Sequence, residues 1–287
     1  MGVKIIVDSA SDVGAEFARQ NNLGFAPLKT TLGGVEYRDG IDILPNEFYQ
    51  KLKAQKESAH TSQVNAGEFA ALFEQAVANG DEVVAITVSG ALSGTYQSAV
   101  VAAAEYPDRV FVVDSLSATA GEQVLIAHAI ALRDAGKSAK EIFEVLCDLR
   151  HRVRLFVRVE TLEYLKRGGR ISKTAAMLGG LLHVKPVLTL NGEGKLETVG
   201  KARGNKMSHK MLNDSIAACG GIDFSMPVVI TYSGDLQDGT VQDYLRDSTH
   251  IYGEQVDQVK LEQLGCVIGT HAGPGAIVIA FVAAENA

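Results

Sequence analysis

The sequence predicts an α/β protein of two domains. Residues 1–151 are expected to form an N-terminal three-layer α/β/α domain on a mostly parallel sheet, and residues 152–287 a C-terminal α+β domain with a mainly antiparallel sheet. Through the first half, short apolar runs alternate with amphipathic stretches, the pattern of a parallel sheet covered on both faces. Past residue 150 the pattern becomes strand-rich, with a short hairpin turn at Glu193-Gly194. A chain of 287 residues with 46% hydrophobic and 21% charged residues has ample material for a core and the length of one large or two ordinary domains.

The first apolar run, VKIIVD at 3–8, ends in Ser9, Ser11 and Asp12, all good helix caps, so a helix is expected over 13–20. Residues 25–32 alternate enough to be a strand. Pro45 opens a helix to about residue 54, with Phe48 and Leu52 on one face. GEFAALFEQAVAN, 67–79, repeats apolar residues at i, i+3 and i+4 and reads as an amphipathic helix. Strand 82–88, helix 93–105, strand 110–114 and helix 118–134 follow, the last apolar on most sides and therefore buried. Ser138 caps a further helix to 149, and the domain boundary is expected near 149–154. Strands are then expected at 183–190, 196–202, 227–232 and 276–283, with helices near 161–166, 173–182, 205–218 and 240–247.

Composition narrows the function. No run of 18 apolar residues is present, so no integral membrane segment is expected. The opening MGVKIIVDS enters a strand at once and lacks the features of a secretory signal, and Ile6 stands where a myristoylation site needs Ser or Thr. Cys147, Cys219 and Cys266 are far apart, odd in number and form no C-x-x-C pair, which suits reduced thiols in a cytoplasmic protein. No two of the seven histidines have metal-ligand spacing, so neither a metal nor another cofactor is expected. Net charge is −7, yet residues 150–210 hold 14 Lys/Arg against 4 Asp/Glu. That basic stretch reads either as a solvated face or as a docking patch for an acidic partner. A nucleic-acid partner is not expected, because reader motifs and interleaved aromatics are missing.

Four stretches carry chemistry. In SGALSGTYQSA, 89–99, an apolar run ends in a glycine- and hydroxyl-rich turn that opens a helix. Helix N-termini present free N–H groups and a partial positive charge, and Ser93 and Thr95 add hydroxyls beyond what capping needs. No lysine follows the second glycine, so a nucleoside triphosphate fits poorly and a carboxylate fits well. In TSQVNAGEF, Thr61 and Ser62 precede a helix and alone read as ordinary caps. In IGTHAGPGA, Thr270 and His271 are expected in a tight glycine-rich loop before a strand. In LEYLKRGGRIS a helix ends at Gly168-Gly169 between Arg167 and Arg170, which alone reads as a glycine stop with favourable cations. The triphosphate loop, the dinucleotide fingerprint and the G-x-S-x-G elbow are all missing.

Taken together with VDSASDV, VDSLSA and LLHVKPVLTL, these stretches resemble, in order from residue 7 to residue 276, the DegV family of fatty-acid-binding proteins. The resemblance implies one long-chain fatty acid between two α/β domains, and no catalysis by this chain. It implies that Thr61, Ser62, Ser93, Thr270 and His271 surround the carboxylate, and Thr95 joins them from the loop chemistry. It implies a further partner, a fatty acid kinase that makes an acyl phosphate for phospholipid synthesis. Arg167, Arg170 and Arg203 in the basic stretch are the candidate docking residues. The sequence departs from the family pattern at Val64, where proline usually follows TSQ.

The residues leave rival readings open. Ser93 and His271 could meet as nucleophile and base, with Asp114 as a conceivable third member, in an esterase or thioesterase acting on acyl substrates. The same head site could serve a sugar or a small acid.

Overall fold

The computed structural model describes residues 2–54, 59–171 and 184–284. Strands and helices are numbered along the chain. In the first half β1 (Val3–Asp8), β2 (Gly24–Ala26), β6 (Glu82–Thr87) and β7 (Val110–Asp114) form a parallel sheet in the order β2-β1-β6-β7. Successive side chains of a strand point to opposite faces. Ile6, Val83 and Ala85 accordingly meet Phe69 and Phe73 of α3 (Ala66–Ala78) and Ala99 of α4 (Thr95–Ala103). Ile5, Val7, Val84 and Ile86 meet Leu125 of α5 (Ala120–Asp134) and Ile142 of α6 (Ala139–Leu149). Burial on both faces explains why these strands read as continuous apolar runs.

The second sheet holds β8 (Val153–Arg158), β9 (Val184–Leu190), β10 (Leu196–Arg203), β11 (Val228–Tyr232), β12 (Val259–Gln263) and β13 (Ile277–Val282) in the order β10-β9-β8-β13-β11-β12. Every pairing is antiparallel except β11 with β12. Phe156, Ile277, Ile279 and Phe281 pack under the helix Gly204–Ala218 and the helix Thr240–Asp247. Leu155, Val157, Leu188 and Val278 point to the other face, where Ala120 and Val124 of α5 join them. So α5 touches both sheets, its Leu125 and Ile126 facing the parallel one.

The structure corrects the sequence reading at several points. The expected strand at 25–32 breaks at Pro27, which has no N–H to give a ladder. Its first part is β2, and its second, β3 (Lys29–Leu32), enters a separate antiparallel sheet with β4 (Val35–Arg38) and β5 (His60–Ser62). β4, β5, β8 and β12 were not expected. The first helix, α1, runs Ala15–Gln20 after Gly14, while Asp8 caps the short 3-10 turn Ser9–Ser11. Thr61 and Ser62 lie in β5, and the cap of α3 is Asn65, in a capping box with Glu68. Thr270 and His271 lie in the helix Cys266–Ala272, not in a loop. The expected helix 173–182 lies outside the described residues.

Phe73 is fully buried against the parallel sheet. Phe73→Ala should lower stability by about 3–5 kcal/mol in urea unfolding.

Candidate functional site

Parallel sheets bind ligands beyond the carboxyl ends of their strands. Here the segments after β1, β6 and β7 supply Ala10, Val88, Leu92, Ser93, Ala118 and Thr119 to one wall of a cavity. The opposite wall is the free face of the second sheet, with Leu155, Val157, Leu188, Leu190, Leu196 and Val278. The empty space, open mouth included, is about 830 Å³.

Most of the polar lining lies where β5 meets α4 and the helix Cys266–Ala272. Thr61 Oγ1 lies 2.9 Å from His271 Nε2, joining β5 to the helix Cys266–Ala272. Gln63 Nε2 donates to Ser98 Oγ (2.8 Å) and to Gly94 O (3.3 Å), drawing the end of β5 onto the start of α4. A Cβ on Gly94 would sit 2.1 Å from Gln63 Oε1 and would displace that amide. Ser93 Oγ is 2.9 Å from Thr95 Oγ1 and accepts from Thr95 N at 3.3 Å. Arg170 Nε donates to Leu92 O (3.1 Å) and Nη1 to Gly168 O (2.7 Å), which lays the guanidinium along the cavity lining while it stays exposed.

Of the residues singled out in the sequence, Thr61, Ser62, Ser93 and His271 line the cavity together. Thr95 is buried behind Ser93. Thr270 is buried and donates to Cys266 O at 2.8 Å, inside its own helix, so its hydroxyl is not part of the lining. Arg170 belongs to the cavity as well as to the basic stretch. Arg167 is exposed and paired with Glu163, and Arg203 is exposed at the end of β10. Gln63 was not singled out from the sequence, although a polar side chain between Ser62 and a helix start is the available signal.

Among the described lining residues the hydroxyls, the amide and the imidazole are neutral, and Arg170 carries the charge. Burial, and then the charge of Arg170, pushes the His271 imidazole down to about 4, so it is neutral at pH 7. Among the described residues its Nδ1 is buried without a partner, against Gly168, where a Cβ would come within 2.0 Å of that atom. The Asp114 carboxylate accepts from Gly90 N and Leu116 N at 3.1 and 3.0 Å. Among the described residues no carboxylate hydrogen-bonds His271, so a Ser-His-Asp relay is not assembled. Below the cavity the buried Asp8 accepts from Ala10 N and Val88 N at 2.9 and 2.8 Å, and burial raises its pKa to about 7. Among the described residues no group of three or more His, Cys, Asp or Glu could hold a metal, and no helix is long and apolar enough to cross a membrane.

A folded-state pKa of about 4, below the ordinary value near 6.5, means that folding favours neutral His271. Its contribution to stability is fully present above about 6.5 and is lost as pH falls through about 4. Imidazole NMR should give a midpoint near 4 for His271, and Gly168→Ala should shift that resonance by displacing the ring.

Residues 2–284 match the model of a family described as "Uncharacterised protein, DegV family". A DegV domain-containing protein of Caldanaerobacter subterraneus subsp. tengcongensis is 34% identical over 282 residues, covering 97% of this chain and 98% of the relative. A fatty-acid-binding DegV family protein from Thermus thermophilus superposes with a TM-score of 0.86 at 36% identity, over 98% of this chain and 100% of that one. A fatty acid kinase B3 protein from Streptococcus pneumoniae, loaded with linoleic acid, shares the fold with a TM-score of 0.82 at 22% identity, over 99% of this chain and 100% of that one. The chain therefore belongs to the DegV family, an α/β fold of one parallel and one mainly antiparallel sheet.

Proposed function

We propose that this protein binds one long-chain fatty acid in the cavity between its two main sheets and hands it to a fatty acid kinase, acting as a carrier and not as a catalyst. In this reading residues 1–151 and 152–287 are the two domains that enclose the ligand. The carboxylate meets Thr61, Ser62, Ser93 and His271, with Thr95 behind Ser93 and Thr270 behind His271. The observation that carries the reading is the make-up of the cavity: hydroxyls, an amide, an imidazole and a guanidinium gathered mainly where β5 meets α4 and the helix Cys266–Ala272, with aliphatic side chains over most of the remaining wall.

The energetics agree. Each buried methylene contributes ~0.8 kcal/mol, so a chain of about 14 gives roughly 11 kcal/mol gross, from which association and ordering subtract a large part. An acid retained by its tail does not need a buried cation at its head. Neutral donors then leave the carboxylate approachable by a phosphoryl group, which carries more negative charge still. Arg170 at the cavity, with Arg167 and Arg203, offers an acidic partner a positive face. The buried Arg158 supports that face, since it donates to Gly275 O (2.6 Å) and Asn205 Oδ1 (2.7 Å) and so ties the loop after His271 to the end of β10. The Thermus thermophilus relative supports the ligand class by sequence and fold together.

Native mass spectrometry of the purified protein, followed by solvent extraction, tests the ligand. One fatty acid per chain, recovered as free acid, is expected; an apo mass that ignores added oleate and palmitate would overturn the reading. A hydrogen bond to a charged group contributes ~1.5–3 kcal/mol, so Ser93→Ala should weaken retention roughly 10- to 100-fold. Arg167→Glu and Arg203→Glu should leave retention unchanged and slow acyl-phosphate formation by an added fatty acid kinase.

A further inference from the structure

The helix Cys266–Ala272 has only two turns, yet it carries Thr270 and His271. The first N–H groups of a helix find no partner within it and need acceptors from outside. Its N-cap is Gly265, which has no side chain to supply one. The acceptors come from more than two hundred residues earlier in the chain. Asp12 Oδ1 accepts from Gly265 N at 3.0 Å. Asp39 Oδ1 accepts from Cys266 N at 2.9 Å and Oδ2 from Val267 N at 3.3 Å. Both carboxylates are buried, with relative exposures of 9% and 2%. The fit leaves no room for another residue at the cap: a Cβ on Gly265 would lie 2.6 Å from Asp12 Oδ1 and 3.3 Å from Asp39 Oδ2.

The first half also touches the body of the helix. Helix α2 (Pro45–Ala54) brings Tyr49, whose hydroxyl donates to Leu264 O at 3.2 Å, and its ring packs over Gly269, where a Cβ would sit 2.5 Å from the hydroxyl oxygen. At the far end His271 meets Thr61 of β5 at 2.9 Å. A helix that belongs by sequence to the second half is thus capped by the first half and packs against α2 as well as against the second half's own helix Glu163–Arg167, while Gly273 ends it. A peptide of seven residues does not hold a helix in water unaided, because nucleation costs more than so few hydrogen bonds return.

We propose that Asp12 and Asp39 are positioning residues for the acid-binding end of the cavity: they hold the helix that presents His271, and parting the two halves of the chain uncaps that helix and loosens its hold on the carboxylate. Entry and exit of the ligand are then coupled to the head-group contacts, since one motion opens the cavity and dismantles the group that binds the acid. This rests on the fatty-acid reading given above.

The test compares a fluorescent polyene fatty acid with its methyl ester, using transfer to phosphatidylcholine vesicles and amide hydrogen exchange at 265–272. Asp39→Ala should speed release of the acid at least tenfold, leave release of the ester unchanged, and speed exchange at Cys266 and Val267. Asp39→Asn keeps one accepting oxygen and should fall between. Equal effects on acid and ester, or none on either, would overturn the proposal, because general loosening of the fold does not distinguish them. Should Asp39→Ala fail to fold, Asp39→Asn and Asp12→Asn carry the same comparison with the same deciding outcomes. Wild-type protein that takes up neither acid nor ester would overturn the fatty-acid reading itself. Exchange at Cys266 and Val267 would still decide whether Asp39 holds the helix.

Discussion

The second sheet buries one face and leaves part of the other open toward a cavity, and the rest of the molecule is arranged around that fact. Alternation along β8 and β13 sends Phe156, Ile277, Ile279 and Phe281 under helices, and Leu155, Val157 and Val278 the opposite way. An aliphatic face of this kind is stable only when covered. The carboxyl ends of the parallel strands and α5 cover part of it, and the remainder lines the cavity. The cavity is therefore an unfinished core, and its apolar character follows from the same alternation that holds the sheet together.

Polar groups at the edges of this contact fix its register. Ser89 Oγ donates to Gly194 O at 3.0 Å, where a Cβ on the glycine would clash at 2.1 Å. Thr119 Oγ1 meets Thr231 Oγ1 at 2.9 Å. Thr119 also holds φ 48° and ψ −121°, a conformation costing a β-branched residue about 1–3 kcal/mol, and its N–H donates to Ala10 O at 2.8 Å. Such a backbone persists only where its surroundings over-determine it. These bonds all join elements distant in sequence, so the seam between the sheets is specified by position and not by apolar area alone.

Much of the fold was legible because its signals are local. The runs VKIIVD and EVVAIT are buried on both faces and could only be central strands, and the amphipathic period of α3 survives unchanged. β4 and β5 escaped notice because strands of four and three residues leave too few positions for alternation to register. β8, VRLFVR, hid because arginines stand at two of its positions, one of them, Arg158, buried by partners that only the fold supplies. The site divides in the same way. Ser93 could be inferred from a glycine-rich helix start. Thr61 gains its meaning only from a histidine 210 positions away. Asp12 reads in the sequence only as a cap for the helix that follows it, and Asp39 was not singled out, because their partners in the fold are backbone N–H groups far along the chain.

In the proposed complex the acyl chain completes the unfinished core. A ligand that binds only the closed arrangement adds its binding free energy to the closed state. The empty protein lacks that contribution and keeps only the polar bonds of the seam, which exchange for bonds to water when the halves part. Opening then costs less for the empty protein than for the loaded one. A carrier built this way retains its cargo through the cargo's own apolar surface, while the neutral head-group contacts select for an acid and leave its oxygen open to reaction.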